Sequence, residues 1–234
     1  MSNSYFEFKQ FRLDHENCSM KVGTDGVLLG AWSPVKPGCR VLDIGTGTGL
    51  LALMTTQRGA GYVTAVEIDK DAADQAARNV AMSPWADRVS VLCMDILDFK
   101  SDVRFDLVIC NPPYFRNSLR SPDAGRSTAR HDDTLSYEAL AGCVSGLLDD
   151  DGKLCVILPY QCAEGFIKCA SVSDLYLEHR TDVLTVAGKE PKRSLLSFGR
   201  SFVPCRTDVL SIRKSDGNES SEYVELVRDF YLRY

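Results

Sequence analysis

The stretch Arg40-Val41-Leu42-Asp43-Ile44-Gly45-Thr46-Gly47-Thr48-Gly49 decides the fold. Arg40 to Asp43 reads as a short buried strand, and a helix runs from the glycines to about Arg58. A strand, a glycine loop and a helix in succession form a nucleotide-binding start. The glycines admit close approach of a ligand, and the helix N-terminus presents unpaired N–H groups. Leu50 stands where the third glycine of the dinucleotide pattern G-x-G-x-x-G would fall. Asp43 before the loop suits a ligand that carries positive charge.

Three more strands follow at regular spacing. Tyr62–Val66 ends in Glu67, and an acidic residue there can accept both ribose hydroxyls of an adenosine. The plainer reading of Glu67 is a helix cap or an exposed charge. Asp69 to Met82 reads as a helix with Ala72, Ala73, Ala76, Ala77 and Val80 buried, ended by Ser83-Pro84-Trp85. Val89–Cys93 leads to Asp95, an acceptor for an adenine amino group or a loop carboxylate. The apolar run Phe105–Cys110 then delivers Asn111-Pro112-Pro113-Tyr114 at a strand's C-terminal end, where open α/β sheets place their chemistry. Asn111 offers an amide oxygen, the prolines hold a turn without N–H groups, and Tyr114 offers a flat ring. Together they suit a planar amino group: two acceptors for its two protons and a ring to stack on.

The flanks are less regular. Residues 5–22 read as a small hairpin carrying Phe6, Phe8 and Phe11. Asp25 reads as the cap of a helix from Gly26 to Trp32 that either closes the sheet or covers a ligand, with Lys21, Thr24 and Asp25 near it. The segment from Phe115 to Thr134 is polar and holds Arg116, Arg120, Arg126, Arg130 and His131, so it reads as a functional loop or a solvated excursion. A helix over about Ser136–Leu148, a turn at Asp149-Asp150-Asp151-Gly152, a strand over Lys153–Leu158 and a helix over 162–171 come next. Strands at Tyr176–Ala187 and Leu195–Val203 enclose the basic turn Gly188-Lys189-Glu190-Pro191-Lys192-Arg193, which reads as a solvated surface or, beside the expected catalytic face, as a contact for phosphate. Residues 207–213 read as an edge strand, and Glu222 to Tyr234 as an amphipathic helix.

Composition narrows the class. A net charge of −5 argues against binding nucleic acid through bulk charge but leaves room for a local basic face. No apolar run is long enough for a membrane span, and Met1 to Tyr5 lacks the features of a signal peptide. The nine cysteines are scattered, with no C-x-x-C pair. Buried, reduced thiols (Cys93, Cys110 and Cys155 lie in strand-like runs), a cytoplasmic location and no metal site are the expectation.

The set Asp43-x-Gly45-x-Gly47-x-Gly49, Glu67, Asp95 and Asn111-Pro112-Pro113-Tyr114, each after one of four consecutive strands, resembles the class I S-adenosylmethionine-dependent methyltransferases. The Asn-Pro-Pro-Tyr element is similar to that of methyltransferases acting on adenine N6, glutamine amide or guanine N2. Lys21 to Trp32, Ser83 to Arg88 and Arg228-Asp229-Phe230-Tyr231-Leu232 further resemble the bacterial enzymes that methylate N6 of adenosine 37 in a valine tRNA. The resemblance implies one Rossmann-like α/β domain over residues 1–234, with a sheet of about seven strands and helices on both faces. Within it, 1–34 form the hairpin and lid helix, 35–203 the core and 204–234 a strand and helix. It implies S-adenosylmethionine as cofactor, held by Lys21, Thr24, Asp25, Asp43, Gly45, Gly47, Gly49, Glu67, Asp95 and Asn111. Asn111, Pro112 and Tyr114 would be catalytic. Pro113, Phe115, Arg116, Arg130, His131, Lys192 and Arg193 would meet a tRNA substrate, with the protein a monomer or weak dimer. Three other readings share the start: a glutamine-amide protein methyltransferase, a nicotinamide-dependent oxidoreductase and a non-catalytic RNA-binding module.

Overall fold

A computed structural model describes residues 4–15, 22–112 and 135–234. Its centre is an eight-stranded sheet made of β3 (Arg40–Ile44), β4 (Tyr62–Glu67), β5 (Val89–Cys93), β6 (Phe105–Cys110), β7 (Leu148–Pro159), β8 (Tyr176–Val186), β9 (Arg193–Gly199) and β10 (Arg206–Arg213). The spatial order is β10-β8-β9-β7-β6-β3-β4-β5. All neighbours are parallel except the pairs that β9 makes with β7 and β8. Seven of these strands were expected in a methyltransferase sheet, and β10 adds the edge strand read over 207–213. β1 (Tyr5–Glu7) and β2 (Arg12–Asp14) form the expected N-terminal hairpin.

Strands buried on both faces read as continuous apolar runs because each face feeds a separate core. Val41, Leu107, Ile109, Cys155 and Ile157 point to one side, where α1 (Thr24–Trp32), α2 (Leu50–Gln57), α3 (Lys70–Ala81), α6 (Ser221–Val227) and the hairpin pack. Leu42, Val108, Cys110, Leu154 and Val156 point to the other, under α4 (Tyr137–Leu147) and α5 (Ala163–Val172). Helix α1 approaches α2 closely through Gly26 and Gly30, where added methyl groups would stand 2.7 Å from Leu50 and Met54 respectively.

Several local readings change. Asp25 lies inside the first turn of α1, and Gly23 is the N-cap. Ala77 is exposed, while Gln75 and Asn79 take buried places on the inner face of α3. Cys110 and Cys155 are buried, but Cys93 is exposed at the end of an edge strand. Strand β9 stops at Gly199, leaving Phe202 and Val203 exposed. The C-terminal helix ends at Val227. Phe230 is buried beyond it because the tail pairs with the hairpin: Phe8 bridges Tyr231, and Lys9 N–H donates to the Phe230 carbonyl at 2.8 Å.

The Asp149-Asp150-Asp151-Gly152 turn is not formed. Those residues lie within β7, which follows α4 directly and absorbs them in a register shift against β6. A Cβ on Gly152 would stand 2.7 Å from the Phe105 carbonyl oxygen, a backbone atom with little room to yield. Gly142 is exposed in α4, and a Cβ there would meet nothing within 4 Å. Gly152→Ala therefore destabilises the chain by about 1–3 kcal/mol, whereas Gly142→Ala stabilises it by about 0.4–1 kcal/mol. Urea denaturation of the two variants checks the opposite signs.

Candidate active site

The parallel register brings four strand ends to one rim. Ile44 pairs with Val66 and with Cys110, and Glu67 with Cys93. The glycine loop, Glu67, Asp95 and Asn111 therefore leave the sheet side by side. The loop turns because Gly45, Gly47 and Gly49 adopt φ of 69°, 56° and 85°. A side chain is disfavoured in that region. At Gly45 and Gly47 a Cβ would meet nothing within 4 Å, so the loop faces open space that a ligand can fill.

Two carboxylates set the loop's shape. Asp43 is fully buried beneath it, and its Oδ2 accepts from the Thr46 hydroxyl at 2.6 Å and from the Ala52 N–H at 3.1 Å. Among the described residues its Oδ1 has no hydrogen-bond partner. Burial pushes the Asp43 pKa up to about 7, against the lowering effect of those two hydrogen bonds and with a further raising contribution from the Glu67 charge. Glu67 is half-buried; its Oε2 accepts from Gly47 N–H at 2.9 Å and its Oε1 from Asp69 N–H at 3.1 Å. A loop pinned from below and beside arrives at its ligand already formed, which lowers the ordering cost of binding. Asp95 is half-buried and uses Oδ1 to accept from Leu97 N–H at 2.9 Å.

Asn111 is half-buried at the end of β6, and among the described residues its side-chain amide makes no hydrogen bond. It lies near α1: the Cβ position at Gly26 is 3.9 Å from Asn111 Nδ2. Pro112 is buried. Lys21, Pro113, Tyr114, Phe115, Arg116, Arg120, Arg126, Arg130 and His131 lie outside the described residues. Thr24 begins α1 and is exposed. Asp25, expected near the cofactor, and Arg193, expected near the substrate, meet each other: Arg193 Nε donates to Asp25 Oδ2 at 2.7 Å, tying β9 to α1. Lys192 is exposed in the β8–β9 turn.

Sequence reading missed two residues that shape the loop. Thr46 donates to Asp43 from three positions on. Asn79 is fully buried and joins three segments: Nδ2 donates to the Thr48 carbonyl of the loop at 2.8 Å and to the Asp14 carbonyl of the hairpin at 2.9 Å, while Oδ1 accepts from Asp14 N–H at 3.0 Å. An amide set among Ala72, Ala76 and Val80 on one helix face was the available signal, since a buried polar side chain needs partners. Among the described residues no group of three or more His, Cys, Asp or Glu is placed to hold a metal ion, and no helix is long and apolar enough to cross a membrane.

The raised pKa of Asp43 carries a pH dependence. The folded state keeps this proton to about pH 7, while the unfolded chain releases it near pH 4. The stability it contributes is whole below the unfolded value, declines as pH rises, and is lost above about 7. Asp43→Asn keeps an oxygen for Thr46 and Ala52 but does not titrate. Relative to Asp43→Asn, the wild type loses on the order of a few kcal/mol between pH 4 and 7, read as diverging thermal midpoints. Parallel profiles would contradict the assignment.

Comparison with known proteins agrees with this geometry. The family model described as "Methyltransferase small domain" matches residues 23–130. The chain is 47% identical over 236 aligned residues to a Bacteroides fragilis protein named tRNA1(Val) (adenine(37)-N6)-methyltransferase, covering 100% of both chains. A Phocaeicola vulgatus protein of the same name is 48% identical, with 99% of each chain covered. Among solved structures, a predicted O-methyltransferase from Agrobacterium tumefaciens superposes with TM-score 0.69 over 88% of this chain and 96% of that one at 19% identity. A ribosomal protein L11 methylase from Lactobacillus delbrueckii does so with TM-score 0.56 over 81% and 84%, also at 19% identity. At that identity the two structures show the fold alone.

Proposed function

The chain belongs to the tRNA1(Val) (adenine(37)-N6)-methyltransferase family, and we propose that it transfers a methyl group from S-adenosylmethionine to N6 of an adenine in tRNA, adenosine 37 of a valine tRNA. The observation that carries the chemistry is the unengaged amide of Asn111 at the end of β6, on the rim it shares with the glycine loop. The relatives' name supplies the substrate and position. Cytoplasmic action follows from such a substrate.

The residues present fit the cofactor. The open side of Gly45 and Gly47 accepts close backbone approach. Glu67 is placed to accept from ribose hydroxyls, and Asp95 from an adenine amino group, through lone pairs not used by Gly47, Asp69 and Leu97. Asp43 acts through the loop, because it is sealed beneath it. Thr24 begins α1, whose Gly26 lies near Asn111. When bound, S-adenosylmethionine supplies an electrophilic methyl group on a positively charged sulfur.

An exocyclic amine on an aromatic ring is a weak nucleophile because its lone pair is delocalised into the ring. Asn111 Oδ1 and the Pro112 carbonyl would accept hydrogen bonds from its two N–H groups and so turn its lone pair out of the ring, toward the side on which the cofactor would be held. Positioning of this kind supplies several kcal/mol of the barrier. Tyr114 stacks on the target base, with Pro113 and Phe115 as further walls, and offsets part of the cost of taking that base out of its stack. As the N–C bond forms, the methyl's bond to sulfur would break and leave a neutral thioether; only then would the nitrogen be acidic and give a proton to solvent, so no strong base is needed beforehand. Arg116, Arg130 and His131 add cationic contacts to the RNA backbone.

Asn111→Ala tests this division of labour. Single-turnover methylation of an unmodified tRNA transcript falls by about a hundredfold or more, while S-adenosylmethionine affinity measured by calorimetry stays near the wild-type value. Equal single-turnover rates would remove Asn111 from the reaction.

A further inference from the structure

The rim continues past Asn111 onto β7 and β9 with an arrangement that methyl transfer alone does not use. Cys110 pairs with Val156 and Pro159 with Arg193, so Tyr160 leaves β7 at the same rim at which Asn111 leaves β6. Tyr160 is exposed at 37%. The guanidinium of Arg180 lies over this ring, 5.2 Å from its centroid. Arg180 is itself held by Asp182 at 2.8 Å and Glu164 at 2.7 Å. One ring face is thus backed by a fixed cation, and much of the ring stays open.

Backbone contacts join this ring to a cationic strip. Tyr160 N–H donates to the Lys192 carbonyl at 3.1 Å, and Lys189 N–H closes the β8–β9 turn on the Val186 carbonyl. Ala187 N–H donates to the Arg213 carbonyl at 2.8 Å, which sets Lys214 beside that turn. Lys189, Lys192 and Lys214 are exposed, and among the described residues none forms a salt bridge, although the Lys214 charge acts on the Asp216 and Glu222 carboxylates. Glu190 is the one carboxylate in the β8–β9 turn. Lys189 and Lys192, with Lys214 partly offset by those carboxylates, put positive charge on this part of the rim of a chain of net charge −5.

We propose that Tyr160, backed by Arg180, is a stacking platform for an RNA base outside the target nucleotide, with Lys189, Lys192 and Lys214 taking the flanking phosphates. Single-stranded RNA loops are recognised by stacking of splayed bases on aromatic side chains, with cations tracking the backbone. The underlying guanidinium adds a cation–π contact that fixes the ring's attitude. The platform holds a neighbouring nucleotide while the target base turns toward Asn111. It rests on the reading of this chain as a tRNA methyltransferase.

The test measures binding of an unmodified tRNA transcript to the full chain, with S-adenosylmethionine affinity as a separate readout. Tyr160→Ala weakens tRNA binding about tenfold and Tyr160→Phe leaves it unchanged, because stacking needs the ring and not the hydroxyl. Combined Lys189→Ala, Lys192→Ala and Lys214→Ala lowers the slope of log affinity against log salt by about 2–3. Cofactor affinity stays at the wild-type value in all of them. Wild-type tRNA affinity in Tyr160→Ala, an unchanged salt slope in the triple variant, or equal loss of cofactor and tRNA binding would each overturn the platform. A wild-type chain that binds tRNA through Tyr160 but methylates none supports the platform and refutes the methyl-transfer reading. A chain that methylates tRNA with Tyr160→Ala at the wild-type KM refutes the platform alone.

Discussion

One buried carboxylate holds the site together. Asp43, next to last in β3, lies beneath the glycine loop, sealed from solvent, and its Oδ2 takes both the Thr46 hydroxyl and the first-turn N–H of Ala52. That contact fixes where the loop leaves the sheet and where α2 begins. Glu67 holds the loop from the neighbouring strand through Gly47 N–H, and Asn79 holds it from α3 through the Thr48 carbonyl. The loop is therefore gripped from three elements, and its glycines keep the remaining side open. Burying a carboxylate is costly unless it is hydrogen-bonded or takes up a proton. Asp43 does both in part: it has two donors on one oxygen, none on the other, and a raised pKa.

The consequences spread outward along the parallel register. Because β3 pairs with both β4 and β6, fixing the end of β3 aligns Glu67 on one side and Asn111 on the other. Asn79 carries the same constraint to the hairpin at Asp14, and the hairpin carries it to the C-terminal tail through Phe8 and Tyr231. Asp25 and Arg193 join the first helix to the far side of the sheet. Residues far apart in the chain thus border one rim, and among the described residues the amide of Asn111 on it makes no hydrogen bond.

Much of this was legible in the sequence, for physical reasons. Parallel strands buried on both faces must be apolar throughout, so Val41-Leu42, Val63–Val66 and Leu107–Cys110 declared themselves. Acidic and amide residues at or just after the ends of such strands, at Glu67, Asp95 and Asn111, marked the rim that the parallel register brings together. The losses came where long-range contacts override local chemistry. Three aspartates and a glycine read as a turn, yet Gly152 lies against the Phe105 carbonyl inside β7. Val224, Val227, Phe230 and Tyr231 are spaced as on one helix, yet Phe230 and Tyr231 are held by the hairpin after the helix has ended. The Asp25–Arg193 pair spans 168 positions and leaves no local trace. Asn79 left one, an amide with Gln75 on an otherwise alanine-rich face, and its partners in the loop and hairpin lie in segments that only the fold brings together.

The central claim is that this rim grips the amino group of an adenine. Nucleoside analysis by mass spectrometry after incubating the full chain with S-adenosylmethionine and unmodified valine tRNA measures it most directly. The account predicts N6-methyladenosine approaching one per tRNA, lost when adenosine 37 is replaced by guanosine. Unmethylated adenosine in that tRNA, with methyl label appearing instead on glutamine amides of a protein extract, would contradict it.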